Sequence, residues 1–323
     1  ILITLNANMD QLDYQIISEL NKNCRLALSS IAKNIKSNRN VIKYRLDKLE
    51  ENKIITKYIT TLDLGKLGYM TFKIYLKTKI ANSNKLTEFF QKEKQIIQVL
   101  QLEGKWNYSC VYICKEITEI DLIITQIKTL EKNLIKNYSI EILIKSTKNN
   151  IEKLFSNNIY KINTITYNNK NKEIQLDKID EQILKNISQE ANKSIVKIAN
   201  QLNLSIDIVK YRLWQLQKQK IINSFEIIFD IEKINLFHYT LLITTNKLNF
   251  DEKEFQKWAE KEKLVHYTSK MIGKHDYEIN FGIKNLNELN QFINSFKEKF
   301  EDKIESYETL VNSKLLKLDF VPF

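Results

Sequence analysis

Proline is nearly missing from this sequence, with one residue in 323, and glycine occurs five times. Such scarcity excludes collagen-like chains and Pro/Gly-rich disorder. No apolar run approaches the roughly 18–20 residues of a membrane-spanning helix. The opening Ile1–Leu5 run is too short for a secretion signal and lacks the basic flank. Met9 is the first methionine, so the opening reads as a leader or the edge of a fragment. Cysteine occurs three times, at Cys24, Cys110 and Cys114. An odd number leaves at least one thiol outside any intrachain pairing, and the spacing fits no zinc set. Cys110 and Cys114 lie four apart in a strand-like stretch and read as small buried apolar residues. The chain reads as a soluble cytoplasmic protein with no membrane partner, no metal and no cofactor.

What the sequence has in abundance is Lys, Asn and Ile, the mark of an AT-rich genome. The net charge of +11 is therefore weak evidence by itself. Arginine is more informative. The chain has four, Arg25, Arg39, Arg45 and Arg212. Where basic residues are otherwise written as Lys, a retained Arg points to a geometry that needs its planar fork.

A repeat organises the chain. Residues 9–17 (MDQLDYQII) match 176–184 (LDKIDEQIL), and 42–46 (IKYRL) match 209–213 (VKYRL), both at an offset of 167. From Leu12 to Thr56, 13 of 45 positions are identical at that offset. Further on, Gly104–Tyr108 matches Gly273–Tyr277 at an offset of 169. The period is too long for a solenoid and reads as duplication of a whole two-domain protein. The expected layout is 9–62 and 174–230 for the first domain of each copy, 63–148 and 231–323 for the second, and a linker at 149–173.

The first domain reads as three helices. Asp10 and Asp177 are suited to cap the first, because a carboxylate accepts from the unpaired amides of the first turn. A short second helix and a break of about three residues follow. Asn38 and Ser205 can cap the third helix, whose core stripe is Ile42, Leu46 and Leu49, or Val209, Leu213 and Leu216. Arg39, Asn40, Lys43 and Tyr44 then point outward near its start. Their twins are Ile206, Asp207, Lys210 and Tyr211. This is a helix-turn-helix, whose second helix enters the major groove of double-stranded DNA by its N-terminal end. Lys and Arg there reach phosphates or guanine, and Asn reads adenine, with the caps Asn38 and Ser205 counted among the DNA-contact candidates. Arg45 and Arg212 sit at the edge of the stripe, where they either touch DNA or pack and pair within the fold. Ile54–Leu62 and Ile221–Ile231 are β-prone and are expected as wings. Asp207 opposes a phosphate backbone, so the second copy is expected to read DNA differently or poorly.

The second domain reads as β-α-β-β-α-β, the ferredoxin-like split unit. Such a sheet carries both helices on one face and leaves the other bare. The duplicate sheet is the expected cover, giving a pseudo-dimer within one chain, with further homo-oligomers open. The fold class is thus α+β, two copies of a winged helix-turn-helix plus a ferredoxin-like domain.

These residues resemble the Lrp/AsnC (feast/famine) transcription regulators, over nearly the entire chain, twice. The family's Leu-Asp-x-x-Asp opening stands at Leu176–Asp180 and, as Met-Asp-x-x-Asp, at Met9–Asp13. Its Val-x-x-Arg-hydrophobic helix core stands at Val209–Leu213 and Ile42–Leu46. Its Gly-x-x-Asp-Tyr hairpin stands at Gly273, Asp276 and Tyr277, with Gly104, Asn107 and Tyr108 in the first copy. The resemblance implies a sequence-specific DNA-binding regulator. It also implies a small effector, such as an amino acid, near those hairpin residues. The family usually has Gly after the recognition helix, where this chain has Lys53 and Lys220. Siroheme decarboxylases resemble fused modules of the same kind and carry His and Arg for the tetrapyrrole carboxylates. Here the three histidines, His238, His266 and His275, all lie in copy two, and neither regulatory domain has an Arg. The chain is therefore expected not to be an enzyme. A non-DNA-binding interaction module is the remaining alternative.

Overall fold

A computed structural model describes residues 9–79, 83–130, 134–149, 163–166, 173–246 and 248–323. Copy one opens with helices α1 (Gln11–Lys22), α2 (Leu28–Asn34) and α3 (Arg39–Glu51), then strand β1 (Ile55–Leu62). It continues through β2 (Met70–Thr78), α4 (Asn84–Lys92), β3 (Ile96–Glu103), β4 (Tyr108–Cys114), α5 (Glu119–Thr129) and β5 (Ile135–Lys148). A short strand, β6 (Asn163–Thr166), falls inside the stretch expected as a linker, most of which lies outside the described residues. Copy two repeats the series as α6 (Lys178–Ile187), α7 (Ile195–Leu202), α8 (Ile206–Lys218), β7 (Ile222–Phe229) and β8 (Phe237–Thr245). It ends with α9 (Glu252–Lys261), β9 (Val265–Ile272), β10 (Tyr277–Ile283), α10 (Leu286–Phe300) and β11 (Ile304–Leu318). The architecture is α+β, with helix-turn-helix units and ferredoxin-like sheets each present twice.

The local chemistry explains the helix starts. The Asp10 carboxylate accepts from the amides of Leu12 and Asp13, and Asp13 accepts in return from the Asp10 amide at 3.1 Å. This reciprocal box satisfies donors that a helix start otherwise leaves open. Asp177 caps α6 by accepting from the Asp180 amide at 2.8 Å.

The strands expected as wings are present, but each finds its ladder partner in the other unit. β1 and β7 pair with each other, antiparallel, with Tyr58 opposite Ile227. Among the described residues each three-helix unit owns a single strand, so its ladder is completed by the twin. The two units thereby share one ribbon and one core, which runs from Ile16 and Ile42 to Ile183 and Val209.

The two ferredoxin-like sheets join more fully than by facing each other. Copy one has strand order β5-β2-β4-β3 and copy two β11-β8-β10-β9. Their edges then pair across the copies, β3 with β11 and β9 with β5. Eight strands close into a ring, which removes the exposed edges that an open sheet would present. Strand alternation sends Phe72, Ile74 and Leu76 outward to α4 and α5, and Leu241 and Ile243 outward to α9 and α10. Tyr75, Leu102, Trp106 and Leu143 of copy one meet Leu242, Met271 and Leu310 of copy two inside. Cys110 and Cys114 belong to the outer core of copy one, and burial pushes the Cys114 thiol up to about 11.

The ring interior also holds charge. Lys73 of copy one pairs with Glu278 of copy two, and Tyr75 donates to the same carboxylate. Asn280 donates to it at 2.5 Å. Burial pushes the Glu278 carboxyl up, and Lys73, Tyr75 and Asn280 more than offset this, leaving it below the usual carboxylate range. Glu141 of copy one pairs with the His275 Nδ1 of copy two at 2.9 Å. Neither pair is repeated on the other side of the ring. Leu76 faces Tyr108 in the first sheet as Ile243 faces Tyr277 in the second. Thr240 therefore corresponds to Lys73, and Ser109 to Glu278. Tyr75 faces Ser139 as Leu242 faces Glu308, so Leu310 corresponds to Glu141. The Lys73–Glu278 and Glu141–His275 pairs of one side are thus replaced by Thr240, Ser109, Leu310 and Trp106 on the other.

Breaking a buried ion pair by removing one partner costs about 3–5 kcal/mol, whereas replacing both by neutral groups of similar volume is near neutral. Lys73→Met alone is expected to lower unfolding stability by that amount, and Lys73→Met with Glu278→Gln to recover most of it. Urea unfolding of the full chain measures both. Equal losses in the two variants would contradict the pairing.

Candidate nucleic-acid interface

In each three-helix unit the second and third helices meet across a tight turn closed by a residue in the left-handed region, Lys36 at a φ of 55° and Asn203 at a φ of 54°. Asn38 then caps α3, its side chain accepting from the Asn40 amide at 2.8 Å. Ser205 caps α8, accepting from the Ile208 amide at 3.2 Å. These two candidates therefore set the start and direction of the outward helices. The far ends close on Lys53 and Lys220, at φ of 53° and 56°. This is the left-handed position that glycine occupies at little cost and a β-carbon does not.

Arg39, Asn40, Lys43 and Tyr44 are all exposed on α3, and Asp207, Lys210 and Tyr211 on α8. Lys43 reaches Asp47 one turn on at 2.7 Å, both side chains in solvent. Tyr44 lies beneath the Lys48 ammonium, 6.0 Å from its ring centre. The first turn of α3 thus offers hydrogen-bond donors, and its N-terminal end carries the positive pole of the helix. Arg45 and Arg212 differ from this group. Arg45 meets Asp10 at 2.8 Å and Asp13 at 3.3 Å, and Arg212 meets Asp177 at 2.7 Å and Asp180 at 3.4 Å. Each guanidinium bridges the outward helix to the capping box of the first helix. Of the two roles the sequence leaves open, the geometry gives them the internal one. The Asp13 amide, helped by Arg45, holds the Asp10 carboxyl below its ordinary range, while burial pushes Asp13 up.

The hairpin residues expected to bind an effector are turned into the fold. The Asp276 carboxylate accepts from the Thr245 amide at 2.8 Å and its hydroxyl at 2.9 Å. Asn107 does the same for Thr78 at 3.0 and 3.2 Å. Tyr108 and Tyr277 lie in the outer cores of their sheets. Gly273 is bare because the Glu141 carboxylate of the other copy stands where its β-carbon would be, 1.7 Å away. Gly104 has a φ of 128° and faces Leu310 of the other copy. These residues lock each hairpin to a neighbouring strand and to the opposite copy. Sequence reasoning missed how apolar the outer face of α8 is. Ile208 and Trp214 are 43% and 52% exposed there, a signal present only in their spacing from the core stripe.

The AsnC-type helix-turn-helix domain matches residues 9–50. An uncharacterized HTH-type transcriptional regulator of Pyrococcus furiosus is 30% identical over 100 residues, which span 31% of this chain and 68% of the relative. One from Pyrococcus horikoshii is 27% identical over 127 residues, 39% of this chain and 86% of the relative. Along its whole length the fold is similar to the crystal structure of the siroheme decarboxylase NirDL, with a TM-score of 0.63 and 13% identity. That likeness covers 96% of this chain and 93% of the other. The expectation that the chain is not an enzyme is corrected by it, since an enzyme has this whole-chain architecture. At such identity the likeness carries the fold and not the chemistry. Among the described residues no helix is long and apolar enough to cross a membrane.

Relieving the left-handed strain at the ends of α3 and α8 should stabilise both units. Lys53→Gly and Lys220→Gly are each expected to raise unfolding stability by about 0.5–1 kcal/mol, the left-handed penalty less the entropy of glycine. Chemical denaturation measures this, and a loss of stability would contradict the strain.

Proposed function

The chain belongs to the Lrp/AsnC family of transcription regulators, and from that premise we propose that it works as a covalent pseudo-dimer, both three-helix units engaging one DNA duplex. The observation that carries this reading is the β1–β7 ribbon, which ties together the two units whose α3 and α8 each expose a first turn. In this proposal the domains run 9–62, 63–148, 174–230 and 231–323, with 149–173 between the copies. Arg39 and Asn40 read base edges from copy one, and Lys43, Lys210, Tyr44 and Tyr211 contact phosphate or groove walls. The Lys43–Asp47 pair is exposed, so exchanging it for a phosphate costs little. Arg45 and Arg212 hold the reading helices in place. The inward-turned hairpins lend no support to an amino-acid effector at Gly104, Asn107, Tyr108, Gly273, Asp276 or Tyr277, and the proposal carries none there.

A second reading is favoured by one observation. His238 and His266 lie 5.7 Å apart between ring centres, each with a buried Nε2 that has no hydrogen-bond partner. Burial pushes them down to about 4 and about 3, so both are neutral imidazoles suited to iron. The residues fit an iron tetrapyrrole in part, because the sheet halves supply no Arg for its carboxylates. Titration of the protein with siroheme separates the readings, since a Soret shift supports this one and an unchanged spectrum removes it.

For the main reading, Arg39→Ala with Lys43→Ala is expected to weaken DNA binding and lower the slope of log affinity against log salt by about 1–2. Electrophoretic or fluorescence titration at several salt concentrations measures it. An unchanged slope would mean that these side chains do not touch phosphate.

A further inference from the structure

We infer that copy two reads thymine methyl groups, so the two halves of the DNA site are recognised by different chemistry. The inference rests on the proposed DNA reading and deepens it. At the offset of 167, Arg39 becomes Ile206, Asn40 becomes Asp207 and Asp47 becomes Trp214. The replaced positions lie on the exposed face of the outward helix. Ile206 is 40% exposed and Trp214 52%, where α3 has Arg39 and Asp47, while Ile208 and Tyr211 keep exposed apolar counterparts in Val41 and Tyr44. Ser205 caps α8 as Asn38 caps α3, so the backbone presents both helices alike.

The first position of α8 offers methyl groups where α3 offers the donors of Arg39, and the groove feature that matches a methyl group is the thymine C5-methyl. Guanine, cytosine and adenine present hydrogen-bonding atoms there, and thymine adds a C5-methyl. Ile206, at the start of α8 where copy one has Arg39, matches that methyl in size and polarity. The surroundings favour a polyanion over an apolar protein surface. Within residues 193–220 Lys197, Lys210, Lys218 and Lys220 are all exposed, against the single carboxylate of Asp207. Lys218 also lies over the Trp214 ring at 4.7 Å, which keeps positive charge directly beside the apolar stripe. Copy one would then select by donors and copy two by methyls, giving a site whose second half is thymine-rich.

The experiment uses the full chain and a duplex selected by it from a randomised library. Thymines are replaced by uracil, which lacks only the C5-methyl, in one half-site at a time. In the half-site read by α8 each lost methyl is expected to weaken binding about fourfold, the worth of one buried methyl. In the half-site read by α3, where Arg39 stands in place of Ile206, the replacement is expected to weaken binding less per methyl. Ile206→Ala with Ile208→Ala, both exposed and outside the core, should abolish the uracil effect, while Arg39→Ala should leave it intact. Tight binding with no uracil effect in either half-site overturns the inference and leaves the DNA reading standing. Unchanged DNA binding by the Ile206→Ala, Ile208→Ala chain, together with altered self-association in sedimentation, makes the face a protein contact and also overturns it. Failure to select any duplex overturns both.

Discussion

The placement of Lys73 opposite Glu278 is the constraint on which the rest of this structure depends. Both groups are buried inside the ring, and they come from different copies. Were copy one to pair with another copy one, Lys73 would face a serine like Ser109 and lose its carboxylate. Were copy two to pair with itself, Glu278 would face a threonine like Thr240. Glu141 would likewise meet Trp106 in place of His275. Each of these mispairings leaves a charge buried without a partner, at a cost of several kcal/mol. The copies have diverged so that each completes the other and neither completes itself. An interior that could serve any two identical halves has become one that holds this pair together.

That constraint reaches the surface through the strands. Beside the closed ring, β1 and β7 pair with each other, and the three-helix units are carried on their ends. The shared core below them fixes the units as one body. Arg45 and Arg212 continue the chain of support, each linking an outward helix to the capping aspartates of the first helix. The reading faces are thus free to diverge, because nothing in the packing depends on Arg39, Ile206, Asn40 or Asp207.

Much of this was legible in the sequence. The 167-residue repeat, the caps at Asp10, Asp177, Asn38 and Ser205, and the βαββαβ order all follow from spacing and residue type, which are local properties. Pairing between the copies was not legible. Nothing in Ile55–Leu62 says whether its ladder partner is near or 167 residues away, and hydrogen bonds between backbones leave no residue signature. The contacts of the hairpin residues were hidden for a related reason. Asp276 and Asn107 each accept from a threonine on the adjacent strand, which sequence spacing does not show. Gly273 looked like a turn glycine, and its real cause is a carboxylate from the opposite copy. The exclusion of enzymatic chemistry failed because it counted residue types, whereas the whole-chain likeness lies in architecture. Lys53 and Lys220 could be marked as departures from sequence alone, but their left-handed conformation needed coordinates.

The claim that most needs measurement is that one chain presents two reading heads to a single duplex. Hydroxyl-radical footprinting of the chain on a selected duplex, with the stoichiometry taken from sedimentation, tests it directly. The account expects one chain per duplex and two protected patches on one face of the DNA, their centres about 10–10.5 base pairs apart or a multiple of that. A single protected patch from one chain, or two patches that require two chains, would contradict it.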